Sequence, residues 1–273
     1  MRLRQRHGAA SWHEPAAGIR LVQHECTAWV RCVQASGCDT YRERVGRAPR
    51  RGKGGVMSKT TLTISSKTYS SWSLRGWLLA RFAGLEFEEV LVPSDDIAAR
   101  AEILLLSPSI LVPCLRHHGV TVWDTLAIAE YLNEVHPKAG LLPEDRAARA
   151  HCRAICGEMH SGFAAMRSAL PMNLKGHFPG MKVWSRAQAD IDRITAIWIE
   201  CLTRYGGPYL FGTRTMADAM YAPVVTRFVT YGVMLDPVPV AYCKQILSMP
   251  ELQEWIAAAR EEPDEISELD VEF

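Results

Sequence analysis

Between residues 60 and 136 short apolar runs alternate with helical periods in the order β-α-β-α-β-β-α, and that order constrains the fold more than any other feature of the chain. Residues 61–65 read as a strand, 73–83 as a helix stopped by Gly84, and 87–92 as a second strand stopped by Pro93. A helix is expected over 97–106. Residues 112–116 and 120–123 then form a hairpin, with His117, His118 and Gly119 as its exposed turn, and a helix follows over 124–136. In that helix Ile128, Leu132 and Val135 stand at i, i+4 and i+7, one apolar stripe. The consequence is an α/β domain over 57–136.

Pro137, Gly140 and Pro143 punctuate the next few residues, so 137–144 reads as a linker and 145–273 as an all-α domain. Ile191, Ile194, Trp198, Cys201, Leu202 and Tyr205 give the stripe of one long helix, ended by Gly206, Gly207 and Pro208. Met220, Val224, Phe228 and Tyr231 give another, with Pro223 expected to kink that helix or to sit in its first turns. The acidic tail from Glu261 onward is expected to fray.

Residues 1–56 differ from the rest. They hold 11 Lys and Arg against 4 Asp and Glu, leaving 20 and 26 beyond them, and they show no sustained apolar period. A secretory signal would need an apolar core of about 7 to 15 residues, and none is present. The run Arg50, Arg51, Gly52, Lys53, Gly54, Gly55 before Met57 would be encoded by purine-rich codons, as a bacterial ribosome-binding site translated in frame would be. This basic leader is therefore expected to lie outside the fold, with Met57 as the functional start.

Composition excludes several function classes. At 48% hydrophobic and 22% charged the chain can bury a core, yet no stretch approaches the roughly 18 consecutive apolar residues of a membrane span. A net charge of +1 supplies no overall attraction to nucleic acid or anionic lipid. Eight scattered cysteines without a Cys-x-x-Cys pair suit reduced thiols in a cytoplasmic protein. Cys152, Cys156 and His160, with His151 beside them, share a helix face but span about 12 Å of it, too far to surround one metal ion, so no metal is expected.

Four short motifs carry the chemistry. Ser70-Ser71-Trp72-Ser73-Leu74-Arg75 lies between the first strand and first helix, Leu111-Val112-Pro113 opens the third strand, Trp123-Asp124-Thr125-Leu126-Ala127-Ile128 opens the helix after the hairpin, and Thr215-Met216-Ala217-Asp218 precedes an apolar stripe. Taken alone, the first and third are helix caps, the second a strand-initiating proline and the fourth a capping box.

Together, over residues 60–258, they resemble the soluble glutathione transferases, and the serine motif resembles that of the zeta class and related bacterial enzymes. The resemblance implies a thioredoxin-like N-terminal domain followed by an all-α domain, a cytoplasmic homodimer, and glutathione as co-substrate. Ser70 or Ser71 would stabilise the glutathione thiolate at a helix N-terminus, where unpaired N–H groups and the helix dipole also favour the anion. The Val112 backbone, held by a cis bond to Pro113, would pair with the cysteinyl backbone. Thr125 would receive the γ-glutamyl carboxylate and Asp124 its ammonium. Trp72 counts among the glutathione-contacting residues and could also line an apolar second-substrate site. Leu111 departs from the Lys or Gln usual before this Val-Pro and leaves the glycyl carboxylate without an assigned contact. The implied activity is attack of the thiolate on a small apolar electrophile, as in detoxification. Two alternatives stand beside it: glutathione-dependent cis–trans isomerisation of a maleyl-type acid, and a noncatalytic binding or regulatory role.

Overall fold

A computed structural model describes residues 59–92, 112–180 and 185–263. The chain divides into units 1–56 and 57–273, and all the described residues lie in the second. The leader, the helix expected over 97–106 and Leu111 lie outside the described residues.

Four strands, β1 (Thr61–Ile64), β2 (Glu88–Leu91), β3 (Cys114–His117) and β4 (Val120–Trp123), form one mixed sheet in the order β2-β1-β3-β4. β1 and β2 run parallel, while β3 pairs antiparallel with both β1 and β4. Helices α1 (Ser71–Phe82) and α2 (Thr125–Val135) pack against each other beside it. This is the thioredoxin-like arrangement expected.

Among the described residues six α-helices follow: α3 (Arg146–Ser161), α4 (Ala164–Ala169), α5 (Ser185–Tyr205), α6 (Met216–Thr230), α7 (Pro237–Leu247) and α8 (Pro250–Glu261). α6 is the axis of the helical part, packed on both α1 and α3, with Val229 its one residue outside the buried set. A helix buried all round must satisfy its own orphaned N–H groups. It does so through the Thr215–Asp218 capping box, in which the Asp218 carboxylate accepts from the Thr215 N–H at 2.8 Å. The same carboxylate accepts from the Leu210 N–H and the Tyr242 hydroxyl, and burial pushes its pKa up to about 6 against these bonds. Pro223 stands in the interior of α6, and Thr226 Oγ1 and Arg227 both donate to its carbonyl.

The sequence-based reading needs four corrections. His117 belongs to β3 rather than to an exposed turn: it is buried, and its Nδ1 lies 2.9 Å from the Tyr131 hydroxyl. Only His118 and Gly119 make the turn, both at positive φ, as a two-residue hairpin matched to strand twist requires. α1 begins at Ser71 rather than at 73, because Ser70 already caps it. The segment 137–144 is partly packed core. It holds a 3-10 turn at Pro137–Ala139, Leu141 and Leu142 are buried, and the Leu141 carbonyl accepts from Met216 N–H. Lastly, Glu262, in the tail expected to fray, is tied down: its carboxylate accepts from the Lys67 and Thr68 N–H groups and the Ser66 hydroxyl at 2.8 to 2.9 Å, while residues 264–273 lie outside the described residues. The end of α8 thereby clamps the loop that leads into α1. Among the described residues no helix is long and apolar enough to cross a membrane.

Candidate functional site

The loop after β1 turns into α1 through a chain of serine hydroxyls. Ser70 Oγ accepts from Ser73 N–H at 3.3 Å and donates to Ser73 Oγ at 3.0 Å, which in turn accepts from the Ser65 N–H at 3.0 Å. Ser70 and Ser73 are thus committed to the cap, and both are buried. Ser71, at the first helical position, gives its carbonyl to Arg75, and among the described residues its hydroxyl takes no part in that network. No acidic residue stands in the first turn of α1, so the positive end of the helix is left uncompensated beside Ser71.

β3 brings the second motif to the same place. The Val112–Pro113 peptide is cis, and Val112 is buried. Pro113 packs so closely on α1 at Gly76 that a Cβ there would lie 2.5 Å from the proline Cβ, so only glycine admits this approach. Across the hairpin Cys114 pairs with Trp123, which sets Pro113 and Asp124 at the same end of the sheet. Burial raises the Cys114 thiol, and Arg116 offsets this only in part.

Asp124 caps α2 at a positive φ of 73°, rare for a residue with a side chain and a mark of positions held by their surroundings. Its Oδ1 accepts from Leu126 and Ala127 N–H, and its Oδ2 lies 2.5 Å from Nε2 of His160 on α3. Burial pushes this carboxyl upward, but the His160 hydrogen bond and charge, with the two backbone N–H groups, outweigh it and hold it below the ordinary range. Thr125, the first residue of α2, is 1% exposed, and its Oγ1 has no hydrogen-bond partner among the described residues. A buried hydroxyl left unpaired is costly, and a ligand acceptor would relieve it.

Trp72 joins these elements to the helical part. Its ring lies 5.1 Å from that of His160, and the guanidinium groups of Arg75 and Arg167 lie 4.7 and 4.6 Å from its centre. Arg75 is fully buried and reaches α6, where its Nε donates to the Met220 carbonyl at 2.8 Å. Burial, then Arg167 and Arg227, lower its pKa well below the usual value, and burial with Arg167 lowers buried Arg227 to about 9. Arg75 Nη2 and Arg227 Nε have no acceptor among the described residues. Sequence reasoning included Arg75 in the serine motif without giving it a role, and singled out neither Arg167, Arg227 nor His160 for this place. It weighed His160 only as a metal ligand, beside residues that the structure sends elsewhere: His151 to the Tyr205 hydroxyl, Cys152 and Cys156 into the core.

The family described as "Glutathione S-transferase, N-terminal domain" matches residues 69–135. Maleylacetoacetate isomerase of Rattus norvegicus is 30% identical over 185 residues, 66% of this chain and 83% of the relative. That of Mus musculus is 29% identical over 205 residues, 73% and 92%. Among solved structures, a glutathione transferase homologue from Burkholderia with bound glutathione matches with a TM-score of 0.57 at 24% identity, covering 75% of this chain and all of the other. Maleylacetoacetate isomerase from Anaeromyxobacter dehalogenans, with glutathione bound in its active site, matches at 0.55 and 24%, covering 76% and 97%.

Proposed function

We propose how this chain, which belongs to the glutathione S-transferase family and is an enzyme of it, handles its co-substrate. Glutathione lies with its γ-glutamyl end at the start of α2 and its sulfur at the start of α1. The observation that carries this reading is the pair of hydroxyls at adjacent helix starts, Ser71 and Thr125, that neither cap uses. Thr125 receives the γ-glutamyl carboxylate and Asp124 its ammonium. The Val112 backbone, beside Pro113, takes the cysteinyl backbone, and Trp72 borders the ligand. Ser71 rather than Ser70 donates to the thiolate, because the Ser70 hydroxyl is already spent on Ser73. The enzyme is read as a cytoplasmic homodimer.

For the reaction, the guanidinium cluster favours an acidic second substrate over an apolar electrophile. Arginine keeps its proton, so buried donors such as Arg75 Nη2 and Arg227 Nε call for an acceptor, and carboxylates of a maleyl-type acid supply one. The names of the relatives point the same way. In isomerisation the thiolate adds to one carbon of the cis double bond, the resulting single bond rotates, and expulsion of the thiolate restores the double bond as trans. Glutathione is regenerated, and no atom is gained or lost.

Calorimetric titration of the full chain with glutathione, followed by assays of maleyl-acid isomerisation and of conjugation to an apolar electrophile, tests both levels. Ser71→Ala is expected to lower turnover about 100-fold with glutathione affinity retained, whereas Ser70→Ala chiefly lowers stability. Equal losses of turnover in both variants, or in neither, would reject the assignment of Ser71.

A further inference from the structure

We infer that His160 controls how Asp124 receives the ammonium of glutathione, so that a residue of the helical part sets the pH dependence of ligand binding in the α/β part. The inference rests on the reading that places the γ-glutamyl group at the start of α2. Asp124 Oδ1 is occupied by two backbone N–H groups, which leaves Oδ2 as its outward-facing acceptor, and His160 Nε2 stands 2.5 Å from it. Trp72 holds the imidazole in place by ring contact at 5.1 Å.

Among the described residues, the other charged groups that meet His160, its ring partner or its own helix turn are cations or are already paired. Arg167 of α4 donates to the His160 carbonyl, and Arg75 of α1 lies on the far partner of the contact, the Trp72 ring. On α3 itself Glu158 is paired with Arg193 at 2.7 Å. Asp124 is therefore the carboxylate that His160 addresses, and the proton inventory of this pair decides its charge. A neutral imidazole donates one N–H, orients Oδ2 and leaves it a full negative charge with a second lone pair for the ammonium. An imidazolium cancels that charge and competes with the ammonium for the same oxygen. Acidification that converts the first form of the pair into the second is therefore expected to weaken binding.

The test is calorimetric titration of the full chain with S-methylglutathione, whose blocked thiol removes sulfur ionisation from the comparison. From pH 7.5 to pH 5.5 the wild-type Kd is expected to rise about 5- to 10-fold. His160→Gln keeps a neutral donor, and its Kd is expected to stay within about 3-fold of the wild-type value at pH 7.5 and to change less than about 2-fold over the range. His160→Phe keeps the ring contact but has no donor, so it is expected to bind about 3-fold more weakly at pH 7.5 with the same flat profile. Thermal melts of both variants separate this role from a packing role, which would lower stability and leave the pH profile unchanged. A wild-type Kd that does not move with pH, or a His160→Gln profile that follows the wild type, overturns the inference. No saturable binding by the wild type at either pH overturns the glutathione reading, and this inference with it.

Discussion

The starts of α2 and α6 use the same chemistry to different ends. At α6 every oxygen of the Asp218 carboxylate is engaged by donors of its own surroundings, those of Thr215, Leu210 and Tyr242, and nothing there is left for a ligand. At α2 the cap residue spends one oxygen on the helix and turns the other to His160, while Thr125 keeps a buried hydroxyl without a partner among the described residues. The first arrangement holds a core helix; the second leaves polar groups over, which is where glutathione is proposed to lie. A helix start becomes functional where its cap is incomplete, because unsatisfied polar groups cost stability unless a ligand meets them.

The largest effect that could break this comparison is expected from Asp218→Ala. It strands the Thr215 and Leu210 N–H groups and the Tyr242 hydroxyl in the core, and denaturant melts are expected to show a loss of about 4 kcal/mol. A loss below about 1 kcal/mol would mean that α6 does not depend on its cap. Thr125→Val keeps shape and removes only the orphaned hydroxyl. Its melting free energy is expected to stay level or rise by up to about 1 kcal/mol, while glutathione affinity falls about 10-fold. A fall in both would assign Thr125 to the fold alone.

The smallest effect is a difference in the sign of pH dependence. Asp218 has a folded pKa of about 6, above its unfolded value of 3.8, so its stabilising contribution is complete below pH 3.8 and is lost as pH rises through about 6. Asp124 is depressed, so its contribution is present above the ordinary carboxylate range and is lost as pH falls through its folded value. Wild type minus Asp218→Asn is therefore expected to decline from pH 4 to pH 6, and wild type minus Asp124→Asn to decline below pH 4, as read from urea midpoints. The Asp124 group is partly exposed and its slope is the shallower. Slopes of the same sign would show that the two carboxylates sit in equivalent surroundings.

Much of this was legible in the sequence because capping is local. Ser70, Asp124 and Thr215–Asp218 each act within about three residues, and each does cap its helix. The serine motif left Ser70 and Ser71 undistinguished, since which hydroxyl is spent depends on Ser65, brought in by β1 to meet Ser73. His117 was misjudged because a turn of His-His-Gly gives no sign that its first residue faces Tyr131 of α2. Arg214, standing where a hydrophobic staple would precede α6, instead lies 4.1 Å from the Phe82 ring and pairs with Glu251 of α8.

By itself the sequence determined the order of elements and the helix starts, since both follow from period and from contacts three or four residues apart. Tertiary structure alone decided that His160 faces Asp124 across 36 positions, that Arg75 reaches Met220 across 145, and that Glu262 closes on Thr68 across 194. The physical reason is that a local rule says where a helix begins and which groups its cap leaves over. What those groups then meet depends on where distant helices dock, and only the packing of the whole core sets that.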